Sequence, residues 1–309
     1  MSDADLVLAI DSGGTKSDVL LLDVSGKIIA GCSVPGIAAL HENTLPVETI
    51  LRQGIEQFSD WQKQISLVFC SLGGPNTEEV TDALKRILPF ARIFVERESN
   101  GKMLLHKAEE YSARAICLCG TGSVAFGTVN GRFRLAGGWG PVYGDEGSGG
   151  GLGMAALKMI LAAIDRREGD SILPGVFPAL ERPGKESSYE ARMKFKGQVN
   201  RLTRAELAAE TVRIDTLAES GDPCAQELIR KSALEIAELA ENVTSEMPEN
   251  GVDGILALGG FFRCGTFVRT ECEKSLARLR KEYHFVYEPF KMIDAAKDYA
   301  LHLYRKETI

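Results

Sequence analysis

The chain has 309 residues, of which 44% are hydrophobic and 26% charged, and it carries a formal net charge of −7 at pH 7. This composition is typical of globular proteins and excludes general disorder, and the length predicts two domains or one large α/β unit. The acidic balance argues against nucleic acid and anionic membranes as partners, because binding to either needs a basic surface. The N-terminal residues lack the pattern of a signal peptide, and no apolar run approaches the roughly 18 residues that span a bilayer. We therefore expect a soluble, cytoplasmic protein.

Cysteine usage indicates neither disulfides nor zinc. The seven cysteines are scattered along the chain and include no C-x-x-C pair, so they match neither a disulfide framework nor a zinc motif. Cys117 and Cys119 lie in an apolar, strand-like run, where reduced cysteine is usually a small core residue. Ligation of an iron–sulfur cluster is the alternative interpretation of this pair.

The first third of the chain predicts three short strands followed by alternating helices and strands. Apolar runs bounded by turn residues predict strands at 6–10, 19–24 and 27–33, which tight turns join into an antiparallel meander. Helical spacing and further apolar runs then predict a helix over 43–59, a strand over 65–72, a helix over 77–88 with a capping pattern at its start, a strand over 92–95 and a helix over 99–110.

The rest of the chain repeats this order. It predicts strands at 114–119, 124–129 and 133–137, with Asn130-Gly131 as a hairpin turn. A helix over 148–164, an irregular insertion over 166–197, helices over 198–220 and 223–246, a strand over 255–258, a helix over 265–281, a strand over 285–287 and a helix over 291–304 follow. The repeated order predicts domains over 1–110 and 111–290, the second with a helical insertion, and the final helix is a candidate to pack back on the first domain.

The first strand of each half ends in a glycine turn suited to phosphate. The first glycine turn follows Asp11, and its candidate nucleotide-binding residues are Gly13, Gly14, Thr15 and Lys16. Bare backbone N–H groups at a hairpin tip can bind phosphate oxygens, and a hydroxyl and an ammonium group add to them. Asp11 is the candidate metal ligand, because Mg²⁺ prefers carboxylate and water oxygens.

The second glycine turn stands at the matching place in the second half and consists of Gly120, Thr121, Gly122 and Ser123. Either turn alone is also compatible with a plain structural hairpin. Two turns at equivalent places predict that both hold the phosphates of one nucleotide, facing each other across a cleft. A third glycine turn, Gly259 and Gly260, follows the strand at 255–258 and is either an adenosine site or an ordinary strand-to-helix turn.

The most distinctive stretch is the acidic loop (residues 137–150), in which many glycines surround Asp145 and Glu146. Packing alone is not expected to need so many glycines. Carboxylates are good acceptors for sugar hydroxyls, so Asp145, Glu146 and the neighbouring Gly138 are candidate substrate-binding residues. A solvated acidic turn is the alternative.

The order and spacing of these motifs resemble the N-acetylglucosamine kinase branch of the BadF/BadG/BcrA/BcrD ATPase family over essentially the whole chain. The resemblance implies an α/β fold of two ribonuclease-H-like domains, as in actin-like sugar kinases, around a nucleotide cleft. It implies ATP and Mg²⁺ as cofactors, an amino sugar as the small-molecule partner, and sugar contacts from Asp145 and Glu146. We also expect a homodimer.

Two departures from the family pattern concern the acceptor. The family carries a catalytic aspartate where this chain has Glu96, Arg97 and Glu98. A glutamate can also accept a hydroxyl proton, so Glu98 is the candidate catalytic base and Asp145 the second candidate, although the Glu96/Glu98 alternation also suits a solvent-facing strand edge. The family's sugar-contacting asparagine falls on Ala38-Ala39-Leu40, which leaves the choice between N-acetylglucosamine and a related hexosamine open.

Three functions are compatible with these sequence motifs. An ATP-dependent amino-sugar kinase fits the motifs best. An activator ATPase of the dehydratase and reductase type would need cluster-binding cysteines, and a non-catalytic nucleotide or sugar sensor would explain the missing aspartate.

Overall fold

The computed structural model describes residues 5–13, 16–37, 45–74, 76–97, 101–168, 172–247, 254–287 and 290–308. Its strands are β1 (Leu6–Ser12), β2 (Lys16–Asp23), β3 (Ile28–Pro35), β4 (Ile65–Leu72), β5 (Arg92–Arg97), β6 (Ala113–Cys119), β7 (Ser123–Val129), β8 (Arg132–Gly137), β9 (Gly254–Leu258) and β10 (His284–Tyr287). Its α-helices are α1 (Val47–Ile55), α2 (Thr77–Ile87), α3 (Lys102–Ala108), α4 (Gly149–Asp165), α5 (Tyr189–Val199), α6 (Arg204–Ala209), α7 (Thr211–Glu219), α8 (Pro223–Thr244), α9 (Thr266–Leu279) and α10 (Met292–Thr308).

The chain divides into two compact units. Unit 1 comprises Met1–Glu110 and Pro289–Ile309, and unit 2 comprises Tyr111–Glu288. Each unit contains a five-stranded sheet, with the order β3-β2-β1-β4-β5 in unit 1 and β10-β9-β6-β7-β8 in unit 2. When the strands of each unit are numbered from one to five in chain order, both sheets have the spatial order 3-2-1-4-5. The repeated architecture expected from the sequence is therefore present.

In unit 1 the central strand β1 pairs antiparallel with β2 and parallel with β4. A strand with helices on both faces must be apolar along its length, and β1 is buried at nearly every position. Leu6, Leu8 and Ile10 pack in a core with residues of α1 and α2. The C-terminal helix α10 packs on β1 and β4, where the ring of Tyr299 meets that of Phe69 edge-on with centroids 5.0 Å apart.

In unit 2 the first strand β6 pairs antiparallel with β7 and parallel with β9. The hairpin between β7 and β8 turns at Asn130 and Gly131, whose φ angles of 49° and 73° are both positive, as a two-residue hairpin turn requires. The long helix α8 packs on β7 and on α9. Cys117 and Cys119 are buried in the core of this unit, in agreement with the packing interpretation.

Three predicted elements differ from the structure. The helix expected over 43–59 is, within the described residues, α1 followed by a 3-10 segment, Glu56–Gln64, that is kinked at the buried Phe58. The insertion expected to be irregular contains α5, whose start is capped by the hydroxyl of Ser188. The helix expected over 198–220 is interrupted, because Thr203 forms a capping box with Glu206 and starts α6 afresh.

Among the helices that the described residues form, none combines the length and the apolar character needed to cross a membrane. The predicted cap of α2 is also absent, since Asn76 precedes the helix without a capping hydrogen bond from its side chain.

Candidate functional site

The first glycine turn joins β1 and β2 in unit 1. The backbone N–H of Gly13 donates to the carbonyl of Lys16 at 3.0 Å, and the hydroxyls of Ser12 and Ser17 hydrogen-bond across the hairpin at 2.8 Å. Lys16 places its Nζ 2.7 Å from the carboxylate of Asp18. Gly14 and Thr15 lie outside the described residues. The described part of this turn therefore shows the ends of β1 and β2 joined by hydrogen bonds on both sides of these two residues.

Asp11, just before this turn, has a buried oxygen, Oδ1, with no hydrogen-bond partner within the described part of the chain. Burial, together with the neighbouring carboxylate of Asp18, raises the pKa of Asp11 to about 7, although the positive charge of Lys16 opposes this shift. A buried carboxylate oxygen without a donor is costly unless a cation or a proton compensates it. The surroundings of Asp11 thus fit a ligand of a hydrated Mg²⁺ ion.

The second glycine turn lies at the end of β6 in unit 2. The N–H of Gly120 donates to the carbonyl of Gly122 at 2.9 Å, and the Thr121 side chain is exposed. A Cβ added at Gly120 would meet no heavy atom within 4 Å, whereas one added at Gly122 would lie 2.6 Å from Oδ1 of Asp145. Gly120 therefore faces open space that a ligand could enter, and Gly122 makes room for the acidic loop.

The second glycine turn and the acidic loop are hydrogen-bonded to each other along their length. The N–H of Ser123 donates to Oδ1 of Asp145 at 3.2 Å, and its hydroxyl donates to the carbonyl of Glu146 at 2.6 Å. The hydroxyl of Ser148 donates to the carbonyl of Thr121 at 3.1 Å. The N–H of Gly149 donates to the carbonyl of Gly120 at 2.8 Å. A candidate phosphate turn and a candidate sugar loop thus form one body, which we call the paired loops (residues 120–123 and 145–149).

Asp145 sits at the centre of the paired loops. Its backbone has a positive φ of 65°, and its side chain is only 8% exposed. One carboxylate oxygen accepts the Ser123 N–H, and the other forms an ion pair with Arg204. The next residue, Glu146, is exposed. Asp145 is therefore held in place, whereas Glu146 is accessible.

Gly138 lies behind the second glycine turn, where its N–H donates to the carbonyl of Ser123 at 2.9 Å. The third glycine turn also contacts the second one. Gly259 has a φ of 104°, and a Cβ there would overlap the carbonyl of Cys119. A Cβ at Gly260 would meet nothing within 4 Å. The structure therefore brings the second and third turns and the acidic loop together within unit 2.

Of the candidate bases, Glu98 lies outside the described residues. Glu96, at the end of β5, accepts a hydrogen bond from Nζ of Lys102 at 3.2 Å. Two further polar residues contact the paired loops without having been predicted from the sequence, Arg204 on α6 and Glu235 on α8. The Thr203–Glu206 capping box marks Arg204 as the first residue of a helix but does not indicate its contacts, and nothing in the sequence indicated those of Glu235.

Within the described ranges no group of three or more His, Cys, Asp or Glu side chains is arranged to hold a metal ion. A Mg²⁺ ion that keeps most of its water ligands needs few ligands from the protein, so this finding is compatible with Asp11 as a single candidate ligand.

Two α/β units of the same strand order, with glycine turns at the ends of their first strands, define an actin-like ATPase fold. Residues 8–281 match the family model of the BadF/BadG/BcrA/BcrD ATPase family, and the chain belongs to that family.

The comparisons with individual proteins agree with this class. The chain is 24% identical over 240 residues to an N-acetylmuramic acid/N-acetylglucosamine kinase of Clostridium acetobutylicum, covering 74% of this chain and 76% of that one. It resembles a solved structure of a candidate N-acetylglucosamine kinase from Chromobacterium violaceum, with a TM-score of 0.70 and 21% identity over 97% of this chain and 99% of that one. A ROK family glucokinase from Streptomyces griseus, solved with glucose and AMPPNP, gives a TM-score of 0.59 and 16% identity over 97% and 99% of the two chains. The α/β fold predicted from the sequence is therefore confirmed.

Proposed function

We propose that this protein is an ATP-dependent sugar kinase that phosphorylates a hydroxyl of an amino sugar, N-acetylglucosamine or a related hexosamine. The observation that supports this most is the pairing of the second glycine turn with the acidic loop, in which Gly120 faces open space and Glu146 is exposed. A kinase must hold a phosphoryl group beside an acceptor hydroxyl, and the paired loops join one candidate site for each. The kinase named among its relatives supports the same substrate class.

The nucleotide is assigned to the three glycine turns. The first turn offers Gly13, Gly14, Thr15 and Lys16, the second offers Gly120, Thr121, Gly122 and Ser123, and the third offers Gly259 and Gly260. Glycines without side chains allow phosphate oxygens and the adenosine to approach the backbone closely. The open space at Gly120 and Gly260 supports this assignment, because neither glycine is required there by packing.

Asp11 would hold Mg²⁺, whose charge would neutralise the phosphate oxygens during transfer. The buried Oδ1 without a donor supports this role. When Asp11 is ionised, it offers this oxygen, and Lys16, whose Nζ pairs with Asp18, keeps a compensating positive charge close to the turn.

The acceptor is assigned to the acidic loop. Glu146 would accept hydrogen bonds from sugar hydroxyls, and Gly138 and Asp145 would shape the loop around the sugar. Because both carboxylate oxygens of Asp145 are already bonded, we assign the proton of the attacking hydroxyl to Glu98 first and to Asp145 second. Accepting that proton makes the oxygen a better nucleophile, and holding it in line with the phosphoryl group provides the remaining rate increase.

A coupled assay of ADP release tests this proposal. Glucosamine, N-acetylglucosamine, N-acetylmuramate, N-acetylmannosamine and glucose are offered with ATP and Mg²⁺, and an Asp145→Asn variant purified in the same way controls for contaminating kinases. ADP release that depends on a hexosamine and is lost in the variant supports the proposal.

Two other outcomes would contradict it. Binding of ATP and sugar without turnover would indicate a sensor. Sugar-independent ATP hydrolysis, with visible absorbance in protein purified without oxygen, would indicate an activator ATPase.

A further inference from the structure

We infer that Arg204 is a positioning residue that couples the acceptor site to the nucleotide site. Arg204 belongs to neither loop of the proposed site and follows the acidic loop in sequence by more than fifty residues, as its separation of 59 positions from Asp145 shows. The inference rests on the proposed function, and it adds a residue and a thermodynamic property to that function.

One nitrogen of Arg204 reaches both members of the paired loops. Nη2 donates to the carbonyl of Thr121, in the second glycine turn, at 2.9 Å. The same nitrogen forms an ion pair with Oδ2 of Asp145, in the acidic loop. A guanidinium group presents several donors in a rigid planar arrangement, so a shift of either acceptor must alter the bond to the other.

The backbone position of Arg204 is set by the capping box at the start of α6 and does not depend on these two contacts. Thr203 caps the helix, its hydroxyl accepting the N–H of Glu206 at 3.2 Å and the carboxylate of Glu206 accepting the N–H of Thr203 at 2.7 Å. The Arg204 side chain is 38% exposed. A substitution that keeps this capping box should therefore remove the guanidinium while leaving α6 in place.

The other contacts between the paired loops involve backbone atoms or the side chains of the loops themselves. Ser123, Ser148 and Gly149 supply these contacts, and changing them would alter the binding loops directly. Arg204 is a side-chain link that comes from outside both loops. Its removal weakens the connection while the loops keep their own sequences.

This link gives the two ligands a way to affect each other's affinity. Phosphate bound at the second glycine turn fixes Thr121, and through Arg204 it fixes the carboxylate of Asp145 and the loop that carries Glu146. A loop that is already ordered costs less to order on binding the second ligand. The acceptor should therefore bind more tightly when the nucleotide is present, and the nucleotide should respond to the acceptor by the same factor.

Titration calorimetry measures this factor. The acceptor is the hexosamine that releases most ADP in the assay above, and the nucleotide is AMPPNP with Mg²⁺, which cannot complete the reaction. For the wild-type protein we expect the acceptor dissociation constant to fall about fivefold or more when AMPPNP is present, within the usual range of allosteric coupling. In Arg204→Gln this ratio should approach one, and Arg204→Lys, which keeps a charge but loses the fork, should retain part of it.

Arg201→Gln is the matched control, since Arg201 is an exposed arginine just before α6, and its ratio should equal that of the wild type. A wild-type ratio in Arg204→Gln, or a ratio of one in the wild type, overturns the coupling and leaves the kinase proposal standing. Absence of sugar binding by the wild type overturns the kinase proposal and the coupling together. If Arg204→Gln does not fold, as judged by its melting curve, Arg204→Lys carries the test: a ratio between one and the wild-type value supports the coupling, and a wild-type ratio overturns it.

Discussion

The carboxylate of Glu235, on α8, accepts the backbone N–H of Gly147, in the acidic loop, at 2.7 Å. Gly147 has a φ of 71°, and a Cβ there would lie 2.7 Å from the carbonyl of Ser232. The acidic loop therefore rests directly on α8. Burial raises the pKa of Glu235, and the nearby charge of Glu146 adds to this effect. Glu235 thus holds the loop from α8, 88 positions after Gly147 in the chain, whereas Arg204 reaches it from α6.

Glu235→Leu should loosen the acidic loop, because the N–H of Gly147 loses its acceptor. We expect the KM for the acceptor to rise about tenfold while kcat falls less, since a hydrogen bond to a charged group contributes about 1.5–3 kcal/mol. Glu235→Gln keeps an oxygen acceptor and should raise KM only about twofold. Steady-state kinetics at several acceptor concentrations measure both values, and Glu238→Gln, at an exposed position of the same helix, is the control. Equal KM values for Glu235→Leu and the wild type would show that Glu235 does not contribute to acceptor binding.

Gly120→Ala should weaken ATP binding without destabilising the fold, whereas Gly259→Ala should destabilise the fold. A methyl group at Gly120 meets no neighbour, so the melting temperature should stay near that of the wild type while the affinity for ATP falls about tenfold or more. At Gly259 the methyl group would overlap the carbonyl of Cys119 at a φ of 104°. That variant should lose about 2 kcal/mol or more of unfolding free energy. Melting curves and ATP titration separate the two results, and an unchanged ATP affinity in Gly120→Ala would contradict the phosphate assignment.

Asp11→Asn should stabilise the protein in a pH-dependent manner. The pKa of Asp11 is raised from 3.8 to about 7, so between these values the folded chain keeps a proton that the unfolded chain has lost. The resulting contribution to stability is complete below pH 3.8 and is lost as the pH rises through 7. Asparagine does not ionise. We therefore expect the free energy of unfolding of the variant to exceed that of the wild type by about 2 kcal/mol more at pH 8 than at pH 5. The difference in melting temperature should grow in the same direction.

Melting curves without divalent ions measure this difference, and Asp60→Asn, at an exposed position, should show no such trend. Adding Mg²⁺ and nucleotide at pH 8 should stabilise the wild type more than Asp11→Asn. The variant should also lose turnover by orders of magnitude. A pH-independent difference between the two proteins would contradict the raised pKa of the buried Asp11 carboxyl.

Glu98→Gln should reduce turnover by about 10²–10⁴-fold with little change in acceptor affinity, because a general base contributes mainly in the transition state. Glu96→Gln is the control, since Glu96 is already paired with Lys102 at 3.2 Å, and it should retain most activity. The measurements are kcat by ADP release and acceptor affinity by calorimetry. Unchanged turnover in Glu98→Gln would transfer the role to Asp145.

The strands and their glycine turns were predictable because their signals are local. Asn130 and Gly131, for example, tolerate the positive φ angles that a tight hairpin needs. The contacts of Arg204 and Glu235 could not be predicted, because each side chain reaches the acidic loop from a distant helix. Local sequence also failed over 198–220, where the capping box at Thr203 interrupts a continuous helical pattern.

The expectation that packing would not need the glycines of the acidic loop was wrong. A Cβ at Gly150 would overlap the carbonyl of Thr121, and one at Gly149 would lie 3.0 Å from the carbonyl of Gly120. These glycines let α4 begin directly against the second glycine turn. Glycine content alone therefore could not separate close packing from ligand approach, since both need the same absence of a side chain.

The exposure of Trp139 has a practical consequence for optical measurements. The chain has two tryptophans, of which Trp61 is packed against the core of unit 1 and Trp139 is 78% exposed in the acidic loop, six positions before Asp145. In a Trp61→Phe protein, the intrinsic fluorescence would come from Trp139 alone. Emission from a solvated indole shifts to shorter wavelength when water is displaced from it. A sugar that covers Trp139 on binding to the acidic loop, as proposed above, would therefore be detected in real time without any added dye.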